Sequence, residues 1–180
     1  MSKEMTDTST RIDPIAEAKR QWLDHGWEEA ASGMAAVTTI TRVQQILAGR
    51  VEERLAPYGL TFARFEILRL LGFTRSGMLP MGKISDRLQV HPASVTSAVK
   101  RLEKEGFITR IIDAEDNRVV LAVLQTKGRQ LLEPATEAVN DVFATTGLDD
   151  AGLDALVDLL NSIRHHAGDE VAPSTVGNED

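Results

Sequence analysis

The sequence predicts a mainly α-helical chain carrying one small β-hairpin. Three observations point that way. Most of the 180 residues lie in stretches whose apolar positions recur every three or four residues, the period of an amphipathic helix. One stretch, Phe107 to Leu124, changes to β-branched apolar runs on either side of Asp113-Ala114-Glu115-Asp116-Asn117, the pattern of two strands and a turn. Three helical stretches run directly into that hairpin, and further helices stand before and after them.

Asp13-Pro14 reads as an N-cap followed by proline in the first turn. The helix it opens is expected to run to about Ala30, with Ile15, Ala18, Trp22 and Leu23 on one side, and to break at Ser32-Gly33. A longer helix follows, about Met34 to Ala56, striped by Val37, Ile40, Val43, Leu47, Val51 and Leu55, and Pro57-Tyr58-Gly59 ends it. Thr61 is expected to cap a helix lined by Phe62, Phe65, Ile67, Leu68 and Leu71 and reaching about Phe73. After a Thr74–Gly77 loop comes a short helix, about Met81 to Leu88. His91-Pro92 opens another that Gly106 stops. Beyond the hairpin, Thr126 is expected to cap a helix to about Thr145, and Asp149 a last one to about His166. Three helices followed by a hairpin make a winged helix-turn-helix, here with flanking helices fit for dimerisation.

Composition removes several function classes. The chain is 42% hydrophobic and 26% charged, ordinary for a globular protein. It has no cysteine, which excludes disulfides, cysteine-bound zinc, iron–sulfur clusters and thiol catalysis and fits a cytoplasmic location. The longest apolar run, Val119 to Leu124, is far shorter than the ~20 residues a membrane helix needs. Met1 to Thr10 has no apolar segment of the signal-peptide kind. Residues 1–11 and the acidic stretch 168–180 are expected to be disordered. Net charge is −7, yet Arg75 to Arg118 holds eight basic and six acidic residues, a net of +2. An acidic body carries a mildly basic middle.

The chemistry concentrates in Gly82 to Gly106, GKISDRLQVHPASVTSAVKRLEKEG. It reads as short helix, tight turn, longer helix. In the longer helix Val95, Val99 and Leu102 share one face. Ser94, Ser97, Lys100, Arg101 and Lys104 occupy the others. Small hydroxyl side chains let a helix seat in a major groove, and lysines nearer the backbone add affinity. Past the turn, Arg118 suits a narrow minor groove. Asp116, two residues away and expected on the same strand face, can hold its guanidinium. An ordinary solvated helix face and a surface ion pair are the competing readings.

Other motifs fail. Gly77 to Ile84 approximates a phosphate-binding loop, but Ile84 cannot ligate Mg²⁺ and Pro80 lacks an amide donor. His25, His91, His165 and His166 form no cluster with ligand spacing, and adjacent helical histidines diverge by ~100°. No nucleophile elbow is present. Neither an enzyme, a metal site nor a cofactor is expected.

"LQVHPASVTSAVKRLEKEGFI", "RIIDAEDNR" and Leu124-Gln125-Thr126-Lys127-Gly128 together resemble the multiple-antibiotic-resistance regulator (MarR) family over residues 34–166. The resemblance implies a ligand-responsive transcription regulator, acting as a homodimer on double-stranded DNA with a pseudo-palindromic operator, most often as a repressor. It implies that Ser94, Thr96, Ser97 and Lys100 face DNA, with Arg118 of Asp116-Asn117-Arg118 in the minor groove; His91, at the head of the same helix, is placed either to touch phosphate or to be simply solvated. It divides the chain into a tail (1–11), an N-terminal plus first dimerisation helix (12–57), a DNA-binding domain (58–125), C-terminal dimerisation helices (126–167) and an acidic tail (168–180). His91-Pro92 departs from the family's Ser or Thr cap, so a weaker cap is expected there. The added N-terminal helix resembles the subgroup that responds to urate or similar small anions. Ungapped placement puts Trp22, Glu66 and Arg110 at that subgroup's ligand positions, with Ala98 where its second arginine would stand. Arg42 or Arg64 is then expected to supply the missing charge, and a tricarboxylate, a phenolic acid or a purine fits as ligand. The alternative is a helical small-molecule- or partner-binding protein of the same fold without productive DNA binding.

Overall fold

A computed structural model describes residues 12–172. Of the stretches expected to be disordered, 1–11 and 173–180 lie outside those residues, while 168–172 of the 168–180 stretch are described, as turn and coil. The elements are α1 (Pro14–Asp24), α2 (Glu28–Leu55), a 3-10 turn (Ala56–Tyr58), α3 (Phe62–Gly72), β1 (Met78–Pro80), α4 (Met81–Leu88), α5 (Pro92–Lys104), β2 (Ile108–Ile112), β3 (Val120–Leu124), α6 (Thr126–Phe143) and α7 (Asp150–His166). The expected winged helix-turn-helix is present, with α1, α2, α6 and α7 flanking it.

The first helical break differs from expectation. The chain turns at Gly26, not at Ser32-Gly33, which lies inside α2. The reason is a left-handed residue: Gly26 has φ +80°, a conformation glycine adopts without a Cβ penalty. Around it, Gly26 N–H donates to the Leu23 carbonyl and Trp27 N–H to the Trp22 carbonyl. This is the Schellman arrangement, and its usual apolar contact is here Trp22 against Trp27, ring centroids 5.3 Å apart at 71°. The same bonds close α5: Gly106 N–H to the Glu103 carbonyl and Phe107 N–H to the Leu102 carbonyl.

Caps also differ from the expectations. The His91 ring accepts from Ala93 N–H through Nδ1 at 3.2 Å, so imidazole does the work of the absent serine or threonine. Thr61 makes no cap bond. Glu52 of α2 reaches across instead and accepts from Phe62 N–H at 2.9 Å. Thr126 is itself the first residue of α6, and its Gln125 N-cap makes no side-chain bond. Asp149 caps α7 as expected, accepting from Gly152 N–H at 2.9 Å.

The sheet has a third strand, Met78–Pro80, in a stretch to which sequence reasoning assigned no element. β1 pairs antiparallel with β3 (Leu79 opposite Ala122), and β2 pairs with β3 on its other side (Arg110 opposite Ala122), giving the order β1-β3-β2. Between α4 and α5, Gln89 takes φ +52°, and this left-handed residue makes the turn tight.

The core lies where the winged helix meets α2 and α6. Leu68, Leu71, Ile84, Val99, Leu102 and Ala122 are fully buried, joined by Leu55 from α2 and Ala135 and Val139 from α6. Each fully buried Val, Leu or Ile side chain contributes about 1.5–3 kcal/mol. In contrast α1 and α7 bury no residue. At the end of the described chain Asp169 turns back to pair with Arg164 at 3.1 Å.

Gly128, in the first turn of α6, lies against the Phe107 carbonyl; a Cβ there would overlap that oxygen and come within 2.9 Å of a Leu124 methyl. Alanine normally stabilises a helix relative to glycine by about 1 kcal/mol. Gly128→Ala should do the reverse and cost about 1–3 kcal/mol through overpacking, read as a lower midpoint in thermal unfolding. An unchanged or raised midpoint would show that the α5–β2 turn yields easily.

Candidate nucleic-acid interface and ligand cavity

The orientation of α5 follows from its apolar stripe. Val95, Val99 and Leu102 are at most 2% exposed, so the remaining faces must point outward. His91, Ser94, Thr96, Ser97 and Lys100 are all exposed. The Thr96 hydroxyl donates to the Pro92 carbonyl at 2.9 Å, leaving its lone pairs and methyl group to face outward. Arg101 pairs with Glu105 at 3.4 Å.

The hairpin tip is built around Asp116. Its Oδ1 accepts from the Arg118 backbone N–H at 3.0 Å and from Arg118 Nε at 3.2 Å, while Oδ2 lies 3.4 Å from Nη2. The pairing expected from strand alternation is in fact made within the turn, because β3 begins only at Val120. The Arg118 N–H and then its guanidinium hold the Asp116 carboxyl below its ordinary value of 3.8. The Arg118 side chain is 91% exposed. Such a pair adds little stability, but it sets the direction in which the guanidinium projects. Val119 N–H to the Asp116 carbonyl (2.8 Å) and Asp113 N–H to the Val119 carbonyl (2.9 Å) close the turn. Lys83, which sequence reasoning passed over, lines a groove with Arg118, Asp86 and the start of α4.

The residues placed at ligand positions are not gathered within one chain. Glu66 alone lines a cavity of about 340 Å³ between α3 and α6, with Phe62, Phe65, Phe73, Leu88 and Phe143 among the walls. Burial raises the Glu66 carboxyl above its ordinary 4.5. Trp22 packs on Trp27, and Arg42 is exposed on α2. Arg110 is engaged by Glu103, with Nη2 at 2.6 Å and the backbone N–H at 3.2 Å. Arg110 holds the Glu103 carboxyl below the ordinary value through side-chain hydrogen bonding first, with charge attraction adding to it. Arg64 does not supply charge to the cavity. It is buried, and its guanidinium is committed to Glu105.

The cation at the cavity is Arg69, which sequence reasoning missed. Phe62, Glu66 and Arg69 on α3 and Phe73 at its C-cap follow one another at spacings of four, three and four, one face of a helix; that spacing was the available signal. The Arg69 guanidinium lies 4.4 Å from the Phe73 ring centroid, and Nη1 donates to Thr136 Oγ1 at 3.2 Å. Its Nε is buried and, among the described residues, has no hydrogen-bond partner. Among those residues no group of three or more His, Asp or Glu could hold a metal ion, and no helix is long and apolar enough to cross a membrane.

Comparison with known proteins agrees with this architecture. The MarR family profile matches residues 60–120. The solved structure of Sco5413, a MarR family transcriptional regulator from Streptomyces coelicolor, is 42% identical, covers 78% of this chain and 99% of its own, and superposes with a TM-score of 0.69. The HTH-type transcriptional repressor Rv2887 of Mycobacterium tuberculosis is 30% identical over 98 residues, 54% of this chain and 69% of the relative. Bordetella bronchiseptica BpsR, whose DNA binding is regulated by 6-hydroxynicotinic acid, shares the fold at 24% identity and TM-score 0.64, over 70% of this chain and 90% of its own. On the profile match and on relatives at least 30% identical and covered over two thirds or more of their length, this chain belongs to the MarR family of winged-helix transcriptional regulators.

Proposed function

We propose that the chain is a homodimeric repressor that binds a pseudo-palindromic operator and releases it on binding a small organic anion. The observation that carries the reading is the outward row of α5 together with an Arg118 preset by Asp116. Ser94, Thr96, Ser97 and Lys100 enter the major groove, His91 meets the backbone at the head of the helix, and Arg118 enters the minor groove. Residues 58–125 form the DNA-binding part, and 12–57 with 126–167 the dimerisation part. The repressor role is drawn from the similarity to Rv2887.

Dimerisation is supported by apolar surface left open in one chain. Val37, Ile40, Val43 and Ile46 on α2 and Leu156, Val157, Leu159 and Ile163 on α7 are exposed. Helices with such faces require a partner. A second copy supplies one, and two-fold symmetry then sets two α5 helices about one turn of DNA apart.

For the ligand, Arg69 stands at the cavity wall, its Nη1 3.7 Å from Glu133 and its buried Nε without a hydrogen-bond partner among the described residues, and Phe62, Phe65 and Phe73 offer ring faces. A flat acid with its carboxylate on Arg69 and a donor group on Glu66 suits this wall, and it is the chemistry that BpsR answers to. Arg69 thereby takes the role that Ala98 leaves open. Trp22, on α1, contributes from the dimer side. The second reading, a ligand- or partner-binding protein of this fold without productive DNA binding, is favoured by the small net charge, +2, of the Arg75–Arg118 segment.

Salt dependence separates the two. With ~6–10 phosphate contacts, affinity for a selected duplex falls about 10³–10⁵-fold between 50 and 200 mM salt. Arg118→Ala should weaken binding across all sequences and lower the logarithmic salt slope by about 1; a salt-insensitive interaction would favour the second reading. In sedimentation equilibrium the chain should weigh twice its 19.7 kDa. Leu159→Glu, placing an unpaired carboxylate in the interface, should cost about 3 kcal/mol and shift the equilibrium toward monomer. At Glu66 the folded chain keeps its proton to higher pH than the unfolded chain, so the wild type loses stability as pH rises through that window above 4.5. Glu66→Gln should therefore gain thermal midpoint relative to wild type on going from pH 4 to pH 7. A constant difference would mean that Glu66 is better solvated than its position implies.

A further inference from the structure

The last turn of α5 is fastened to three other elements, and one fastening is buried. Arg64 on α3 donates from Nη1 to both Glu105 carboxylate oxygens, at 3.1 and 2.9 Å. Nη2 donates to the Gly59 carbonyl, and Nε lies 3.4 Å from Thr61 Oγ1. The Arg64 side chain is 7% exposed. Glu105 also accepts from Lys127 of α6 through its carbonyl, at 2.7 Å. Two residues earlier, Glu103 holds Arg110 of β2. At the other end of the chain of contacts, Glu52 of α2 caps α3 through Phe62 N–H.

We propose that Arg64 is a positioning residue which, through Glu105, fixes the tilt of the DNA-facing helix α5 relative to the long helix α2, and with it the half-site spacing the protein accepts. This rests on the dimeric DNA-binding reading above. The apolar stripe of α5 fixes rotation about the helix axis, but burial of apolar surface is non-directional and tolerates small changes of tilt. A planar guanidinium whose Nη1 is held by the Glu105 carboxylate and whose Nη2 is held by the Gly59 carbonyl does not, because the two bonds diverge in one rigid plane. Gly59 and Thr61 lie in the link between α2 and α3, so the same fork that holds α5 also grips the link to the base. Buried ion pairs add little net stability compared with apolar residues of equal volume. A directional role accounts for this one better than a stabilising role does.

The test replaces both charges together, Arg64→Met with Glu105→Met, so that no lone charge stays buried. The probe is a duplex that wild-type protein selects from a random-sequence library, plus derivatives with the half-sites moved together or apart by single base pairs. The double variant is expected to keep the wild-type salt slope, because the phosphate contacts lie elsewhere. Its preference for the selected spacing over the shifted ones should fall about two- to thirtyfold. A folded double variant that discriminates spacing as wild type does overturns the proposal. Should the double variant not fold, Glu105→Gln, which keeps the volume and removes the charge, is measured in its place: a smaller loss of the same preference supports the proposal, and none overturns it. A wild-type chain that selects no duplex overturns the DNA-binding reading and this inference with it.

Discussion

The burial of Val95, Val99 and Leu102 is the constraint from which the functional surface follows. These three side chains lie at spacings of four and three along α5, and at most 2% of each is exposed. Once they face the core, the helix has no rotational freedom left. Its hydroxyl and lysine side chains must then point outward, whatever their own preferences. Sequence thus acts on function through packing: the residues that touch no partner decide which residues can. The hairpin works differently. Its tip is set by a local Asx-type turn, with the Asp116 carboxylate satisfying the Arg118 amide and guanidinium together, and it needs no core beneath it.

Two kinds of electrostatics divide the molecule. At the surface, Asp116–Arg118 and Arg101–Glu105 are solvated pairs of small energetic weight, useful for direction. Inside, Arg64–Glu105 and the half-buried Glu66 feel a lower effective dielectric, where partner and geometry matter more. The cavity beside Glu66 combines aromatic walls with one cation whose donors are incompletely used. The acidic excess lies mostly outside the DNA-facing segment, so the whole-chain charge says little about the face that matters.

What could be read from the sequence was local and periodic. The stripe of α5, the hairpin and the Asp149 cap follow from spacings of three, four and two and from residue types with one strong preference. Other features depended on distant partners. Arg64 looked like a free cation because Glu105, its counter-ion, is 41 residues away. The cap of α3 comes from Glu52, on another helix. The left-handed turn residue between α4 and α5 is Gln89, not the glycine such a position favours. Ser32-Gly33 looked like a break because glycine is a poor helix former, whereas the Trp22–Trp27 contact had already placed the turn at Gly26. β1 is three residues long and ends in proline, too short to show alternation.

That short strand has a consequence for solubility. A three-stranded sheet leaves two open edges, and open edges invite further strands from other molecules. On one side β1 ends in Pro80, which has no amide to offer. On the other, the Arg110 amide is already taken by the Glu103 carboxylate. Each edge is blunted by one missing donor, so the wing can project into water at high concentration without zipping onto its neighbours.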